Sequence, residues 1–326
     1  MNDKEQFFKR KSVLILCALI STALWGSAFP CVKAGYQLWH IEANDAATQM
    51  IFAGGRFILA GLMALLMAHF MEKRCIPKEN RWRSLKKVFL LGVIQTALQY
   101  VFYYIAMAHV TGIKGSILNG ASAFVCVLMA RIYYKDQEQL SGSRILGCIL
   151  GLAGVVIVNL GKGSLGDGWS WLGEGFMILS VLMSALGSLV SKEISGEIKP
   201  VTLCGGQLLS GGILLSAAGS VMGGHIDWDS IGIRSLLLLF YMAFISAAAF
   251  SLWTVLLKYN SMGKVTVFNF MIPVFGTILS AVFLGDDLQN PYILSSLPLV
   301  CSGIWLVNRT SSFSLSFRQK KRMKKE

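Results

Sequence analysis

A single arginine stands deep in an apolar run. Arg56 lies about ten residues into the run 46–71, about 15 Å from its start at a helical rise of 1.5 Å per residue. Placing an arginine at such a depth costs about 2.5–3.5 kcal/mol on insertion scales, so the guanidinium must face protein or water. Two roles fit it: a contact with backbone carbonyls near the outer interface, or a contact with a carboxylate or phosphate of a substrate. The run 88–107 carries a polar-aromatic stripe, Gln95, Gln99, Tyr100, Tyr103 and Tyr104. Gln95/Gln99 and Gln99/Tyr103 are i, i+4 pairs, which a helix places on one face. Such a stripe serves either as interhelical hydrogen bonding or as the aromatic wall of a small-ligand pocket. Trp25, Ser27 and Pro30 interrupt the first apolar run, where small residues and proline allow close packing and a bend. Trp25 there is also placed to line a cavity. Asn119 and Asn269 are amides inside two further runs, suited either to joining helices or to holding a polar ligand. Lys114 and Lys264 begin those same two runs, where lysines snorkel to headgroups or stand at the mouths of a path.

Catalytic and metal chemistry find no comparable footing. No H-E-x-x-H is present, and no phosphate-cradling G-x-x-x-x-G-K-[ST]. The four histidines, His40, His69, His109 and His225, all fall at or near the ends of apolar runs, so a buried serine has no candidate base. The adjacent acids Asp286 and Asp287 end a run and begin a loop. The seven cysteines are scattered singly, without a C-x-x-C pair, and read as small apolar fillers. No catalytic residue, metal site or cofactor is assigned. Glu174, a few residues past Trp169 and Trp171, is expected at the hydrated outer interface as an end-of-helix group of ordinary acidity. Transport through a midplane carboxylate relay is therefore not expected.

The elements that position these residues are membrane spans. The 326 residues are 54% hydrophobic and only 14% charged, with a mean hydropathy of +0.59; soluble domains carry about 25% charged residues. A span needs roughly 20 apolar residues. Runs at 13–32, 46–71, 88–107, 113–134, 144–160, 171–190, 201–222, 235–257, 265–284 and 291–308 give ten transmembrane helices. They are too long and too uniformly apolar for barrel strands. The net charge of +13 is a topology signal, not a nucleic-acid footprint. Of 30 Lys/Arg, 25 fall in the two tails and alternate loops, four (Lys33, Lys114, Lys162, Arg234) in the other loops, and Arg56 inside a span. The positive-inside rule then sets both termini in the cytoplasm and the chain in the plasma membrane. The basic tail 309–326 is expected as a solvated, disordered end that touches anionic lipid at most.

A weak self-similarity divides the chain. GGRFILAG (54–61) lies over GGQLLSGG (205–212) at an offset of 151, Lys114 over Lys264 and Asn119 over Asn269 at 150, and AGVVIVN (153–159) over SGIWLVN (302–308) at 149. Tyr103 falls on Trp253 and Glu138 on Asp287. The organisation expected is a short tail (1–12), a five-helix half (13–160), a second half (171–308) and a basic tail (309–326). Five spans is an odd number, so the halves are inverted, a plan of secondary transporters with the substrate site at the repeat interface. Trp25, Arg56, Gln99, Tyr103, Asn119, Trp253 and Asn269 are expected to border one central cavity.

LWGSAFPCVK (24–33), GGRFILAG and YYKDQEQLSGSRILGCILGLAGVVIV (133–158), with CSGIWLV near the end, resemble the EamA-type permeases of the drug/metabolite transporter superfamily. The resemblance covers roughly residues 12–309. It implies an all-α membrane protein of ten helices in two inverted five-helix repeats around a central cavity, exporting or exchanging small metabolites such as amino acids, sugars or amphipathic drugs. Pro291 and Pro298 depart from the first repeat, which has Gly142 and Ile149, and YYKDQE replaces the usual F-x-G-E. The function expected is a secondary transporter for a small organic metabolite, working by alternating access in the lipid bilayer. An intramembrane enzyme or a non-transport membrane component is the alternative, and the sequence leaves room for a homodimer.

Overall fold

The computed structural model describes residues 3–322 except 43, 73–80, 111–114, 116–117, 136–140, 161–168, 229–230 and 285–290. Among the described residues it is helical, with no strand. A short N-terminal helix, α1 (Asp3–Lys9), leads into α2 (Lys11–Leu38), α3 (Ala46–Met71) and α4 (Arg81–Met107). Then come α5 (Ser122–Tyr134), α6 (Gly142–Leu160), α7 (Trp171–Ile194), α8 (Pro200–Val221) and α9 (Ile233–Tyr259). The chain ends in α10 (Met262–Thr266), a 3-10 turn (Val267–Phe270), α11 (Met271–Leu284) and α12 (Pro291–Arg322). Six of these helices, α2, α3, α4, α7, α8 and α9, are long and apolar enough to cross a membrane. Leu118–Tyr134, Gly142–Ile157, Met262–Gly276 and Leu294–Asn308 are shorter apolar helices.

Local chemistry sets the helix ends. Asp45 caps α3, its carboxylate accepting from the Thr48 N–H at 2.9 Å. Glu72, at the far end of α3, reaches across to α8 and accepts from the N–H groups of Val201 and Thr202 at 3.2 and 3.1 Å and from the Thr202 hydroxyl at 2.6 Å. A carboxylate thereby meets the orphan donors and the positive end of a helix that starts at Pro200. Helix α2 runs unbroken through Pro30, which removes one backbone donor. One turn earlier the Ser27 hydroxyl back-bonds to the Leu24 carbonyl at 2.8 Å.

Two seams are packed backbone to backbone. Along α3 and α8, a Cβ on Gly54 would stand 2.7 Å from the Ser216 nitrogen, and one on Gly205 would stand 2.8 Å from the Leu65 nitrogen. In the same seam Gly61 faces the Leu209 nitrogen at 2.5 Å and Gly212 the Ile58 nitrogen at 2.8 Å. Along α6 and α12, Gly154 faces the Val300 nitrogen at 3.2 Å and Gly303 the Gly151 nitrogen at 2.8 Å, by the same measure. Small residues at these positions let helices approach where lipid supplies no hydrophobic drive. The remaining helices pack in matched pairs: α2 on α11 and α7 on α5, α2 on α9 and α7 on α4, α3 on α9 and α8 on α4.

Several expectations change. Within the Gln95–Tyr104 stripe, Gln95 falls inside a π-helical segment, Gly92–Leu98, while Gln99–Tyr104 lie in the regular helix that follows, so Gln99/Tyr103 keeps its α-helical i, i+4 spacing and Gln95/Gln99 does not. Glu174 is an end-of-helix group, accepting from the Ser170 N–H at 2.8 Å, but it is buried at 3% exposure instead of hydrated. The cause is local: the first turn of α7, Trp171–Gly175, is π-helical and folds the carboxylate back under Ser170, whose hydroxyl caps Gly173. The basic tail, expected as disordered, continues α12 helically to Arg322, since neither Gly nor Pro occurs after Gly303. Lys114, and the Glu138 and Asp287 pair, lie outside the described residues.

Candidate functional site

An array of aromatic rings runs through the bundle interior. It starts at Trp253 on α9, which is buried, and passes to Trp25 on α2 with ring centroids 5.0 Å apart. Trp25 also meets Phe250 of α9 at 5.1 Å, and Phe250 meets Phe57 of α3 at 6.3 Å. Phe57 packs on Tyr100 of α4 at 4.7 Å, and Tyr100 reaches Tyr103 at 6.1 Å and Tyr104 at 6.2 Å. Most of these contacts are edge-to-face or tilted, the arrangement the ring quadrupoles favour. Trp25 packs against both large apolar clusters, one built on α2, α5–α7 and α9–α12 and the other on α3, α4, α8 and α9. The array therefore spans the junction between them.

Arg56 sits on this array. It is buried at 7% exposure, with its guanidinium carbon 4.5 Å from the Phe57 ring centroid. The charge lies within electrostatic reach of the hydroxyls of Tyr36, Tyr100, Tyr103 and Tyr104. Tyr36 of α2 packs on the same apolar cluster as Tyr104. No carboxylate pairs with Arg56 among the described residues, and its Nε–H has no hydrogen-bond partner. Buried arginines are ordinarily paired, because an unpartnered buried charge is expensive. The Trp25 Nε1–H, on the same array, is equally buried and unpartnered. The site thus offers two unused donors, one of them cationic, beside a surface of rings and phenol hydroxyls. Such a surface can hold a planar or apolar body with an anionic group at one end.

Four of the seven residues singled out from sequence, Trp25, Arg56, Tyr103 and Trp253, belong to this array. Asn269, in the 3-10 turn, is half-buried with its Oδ1 buried and unpartnered. Gln99 is half-buried on α4, its backbone carbonyl accepting from the Ser180 hydroxyl of α7 at 2.9 Å. Asn119 is half-buried just before α5. No hydrogen bond or ring contact ties these three side chains to the array. Sequence reasoning passed over Tyr36, Phe57 and Phe250. Phe57 and Phe250 are aromatic residues inside apolar runs, where a ring is ordinary, and Tyr36 falls just past the first run; the nearest signal is that Phe57 adjoins Arg56.

Comparison with known proteins agrees on one class. The model of the EamA-like transporter family matches residues 12–160 and again 171–309. An uncharacterized transporter of Bacillus subtilis, YvbV, is 25% identical over 311 residues, covering 94% of each chain. The S-adenosylmethionine/S-adenosylhomocysteine transporter of Chlamydia muridarum is 21% identical over 307 residues, covering 90% of this chain and 91% of its own. A protein of known crystal structure shares the fold with a TM-score of 0.74 at 16% identity, covering 93% of this chain and 99% of that one. With apolar helices to cross a bilayer and a transporter's family model over both halves, the chain belongs to the EamA-like transporter family and is a multi-pass membrane transporter rather than an enzyme.

Proposed function

We propose that this protein is a secondary transporter for a small organic metabolite that carries an anionic group on a planar or apolar body, acting as an exporter or exchanger by alternating access. The observation that carries the substrate reading is the unpaired, buried guanidinium of Arg56 on an aromatic array. An amino-acid carboxylate or a phosphate would complete it with charge-assisted hydrogen bonds. The ring of an aromatic metabolite or an amphipathic drug would lie against Trp25, Phe57 and Tyr100. The Chlamydia relative is named for S-adenosylmethionine, which joins an amino-acid carboxylate to an adenine ring, so that compound belongs in any ligand panel.

The architecture proposed is two inverted five-helix halves, 13–160 and 171–308, spanning the plasma membrane ten times with both termini cytoplasmic. The contact register supports it. Shifting the partners of the Gly54–Ser216 approach by 151 residues, one forward and one back, gives Gly205–Leu65; Gly61–Leu209 likewise gives Gly212–Ile58. A shift of 149 turns Gly154–Val300 into Gly303–Gly151. The helix pairings α2–α11 with α7–α5, and α2–α9 with α7–α4, exchange in the same way. A two-fold axis in the membrane plane produces such a pattern, and two similar halves give two near-equivalent states, each open to one side.

Thermal unfolding of the purified protein against a panel of aromatic amino acids, S-adenosylmethionine and their decarboxylated analogues tests the substrate reading. A compound at about 100 times its Kd stabilises by about 2.7 kcal/mol. Stabilisation by carboxylates that fails for the amines, and fails in Arg56→Gln, is the expected result. Equal stabilisation by both series overturns the role of Arg56.

A further inference from the structure

The bundle holds a second set of buried polar groups, apart from the aromatic array. Gln95 on α4 is 6% exposed, and Gln207 on α8 and Ser191 on α7 are 1% exposed. Gln95 Oε1, Gln207 Oε1 and Ser191 Oγ have no hydrogen-bond partner among the described residues. One such oxygen is an ordinary imperfection; three at one junction of helices ask for a ligand.

Helices α7 and α8, which carry Ser191 and Gln207, both pack on the segment of α4 that carries Gln95. A Cβ on Gly187, one turn before Ser191, would lie 3.0 Å from Gln95 Cδ, so Gln95 points at that stretch of α7. A Cβ on Gly92 would lie 2.9 Å from the Gln207 carbonyl, which brings α8 against α4 just below Gln95. Leu91, Leu203 and Ile194 share one apolar cluster, and each is within a turn of Gln95, Gln207 or Ser191 respectively. The backbone beside them is the π-helical segment Gly92–Leu98, where bonding changes from i−4 to i−5. π-Segments of this kind often accompany functional sites.

The fully buried unpartnered atoms of this group are oxygens, and no carboxylate is among them. Oxygen ligands suit a hard cation, while the absence of a carboxylate disfavours a divalent one. The repeat match adds an independent reason: GGRFILAG over GGQLLSGG sets Arg56 on Gln207. One half of the chain carries a fixed positive charge at this position, and the other carries a neutral acceptor. We propose that Gln95, Gln207 and Ser191, with carbonyl oxygen of the π-segment, bind a monovalent alkali cation, which supplies in the second half the charge that Arg56 supplies in the first.

Sodium is the probe. Thermal unfolding of the purified full chain is followed as NaCl replaces choline chloride at constant ionic strength, the choline ion being too large for such a site. The expected result is a rise in Tm of about 3 °C that saturates with Na+. It should vanish in Gln207→Leu and persist in Arg56→Gln, which keeps this test separate from the substrate reading. Gln207→Glu adds a carboxylate ligand, and the half-saturating Na+ concentration should fall roughly tenfold, which decides the matter if Gln207→Leu does not fold. Identical Tm in the two salts would mean that the oxygens hold water alone and overturns the proposal. A sodium effect unchanged in both Gln207 variants overturns it equally.

Discussion

The α3–α8 seam and the aromatic array lie on the same helix, a residue or two apart, and are built on opposite principles. In the seam, Gly54 and Gly212 bring backbone to backbone with no room for a methyl group. In the array, Arg56 and Trp25 keep polar atoms buried without partners. The seam is optimised for contact and leaves nothing to bind; the array is left unsatisfied. Stability and recognition are thus separated along one face-to-face boundary of α3, and substitutions on either side should fail in different ways.

The largest effect should come from the seam. Gly212→Leu sets a side chain against backbone atoms of Phe57, Ile58 and Gly54 that cannot rotate away. Overpacking of this kind costs about 3 kcal/mol or more, so loss of monodisperse protein, or a fall in Tm of about 10 °C, is expected in size-exclusion and thermal-unfolding runs. Gly55→Ala, one residue from Gly54 but facing open space, is the control and should change stability by less than about 1 kcal/mol. A tolerated Gly212→Leu would break the comparison.

Arg56→Gln is the reverse case. Transport of a carboxylate substrate should fall at least about tenfold, the worth of one charge-assisted contact. Folding should be little affected, since the guanidinium has no ion-pair partner to lose. A collapse of stability comparable to that of Gly212→Leu would make Arg56 a structural residue. Trp25→Phe sharpens the point with a smaller change: the ring contacts to Trp253 and Phe250 survive, while the unpartnered Nε1–H is removed. Stability should hold within about 1 kcal/mol, and substrate affinity should weaken about tenfold where the ligand accepts from that donor; unchanged affinity places the donor outside the site.

The smallest effect is at the exposed rim. Lys87 lies 2.5 Å from the Glu197 carboxylate and holds it below the ordinary glutamate range. A depressed carboxyl contributes stability above its ordinary pKa and loses it as pH falls through the lower, folded value. Both groups are surface residues, so Glu197→Gln should lower Tm slightly at neutral pH, and the difference should shrink as pH falls below the ordinary glutamate range. A difference that grows on acidification contradicts the assignment.

The contrast explains how much the sequence could disclose. Spans announce themselves because hydrocarbon demands long apolar runs, and Arg56 is conspicuous because it violates one. The glycine pairs were visible as GGRFILAG and GGQLLSGG, since close approach of backbones leaves few residue choices. The rest of the aromatic array was not visible. Phe57 and Phe250 sit in apolar runs where an aromatic ring is unremarkable, Tyr36 falls just past one, and only the packing of α2, α3, α4 and α9 gathers them. The burial of Glu174 and the altered spacing between Gln95 and Gln99 both accompany π-helical turns, one residue of slack that no hydrophobic period records.

Counterflow into proteoliposomes tests the central claim most directly. Vesicles are loaded with the unlabelled panel compound that best stabilises the protein, and entry of the labelled compound is followed in wild type, Arg56→Gln and Gly55→Ala. Transient accumulation above equilibrium in wild type and Gly55→Ala, reduced at least about tenfold in Arg56→Gln at unchanged Tm, is the predicted result. Full counterflow in Arg56→Gln would contradict the account.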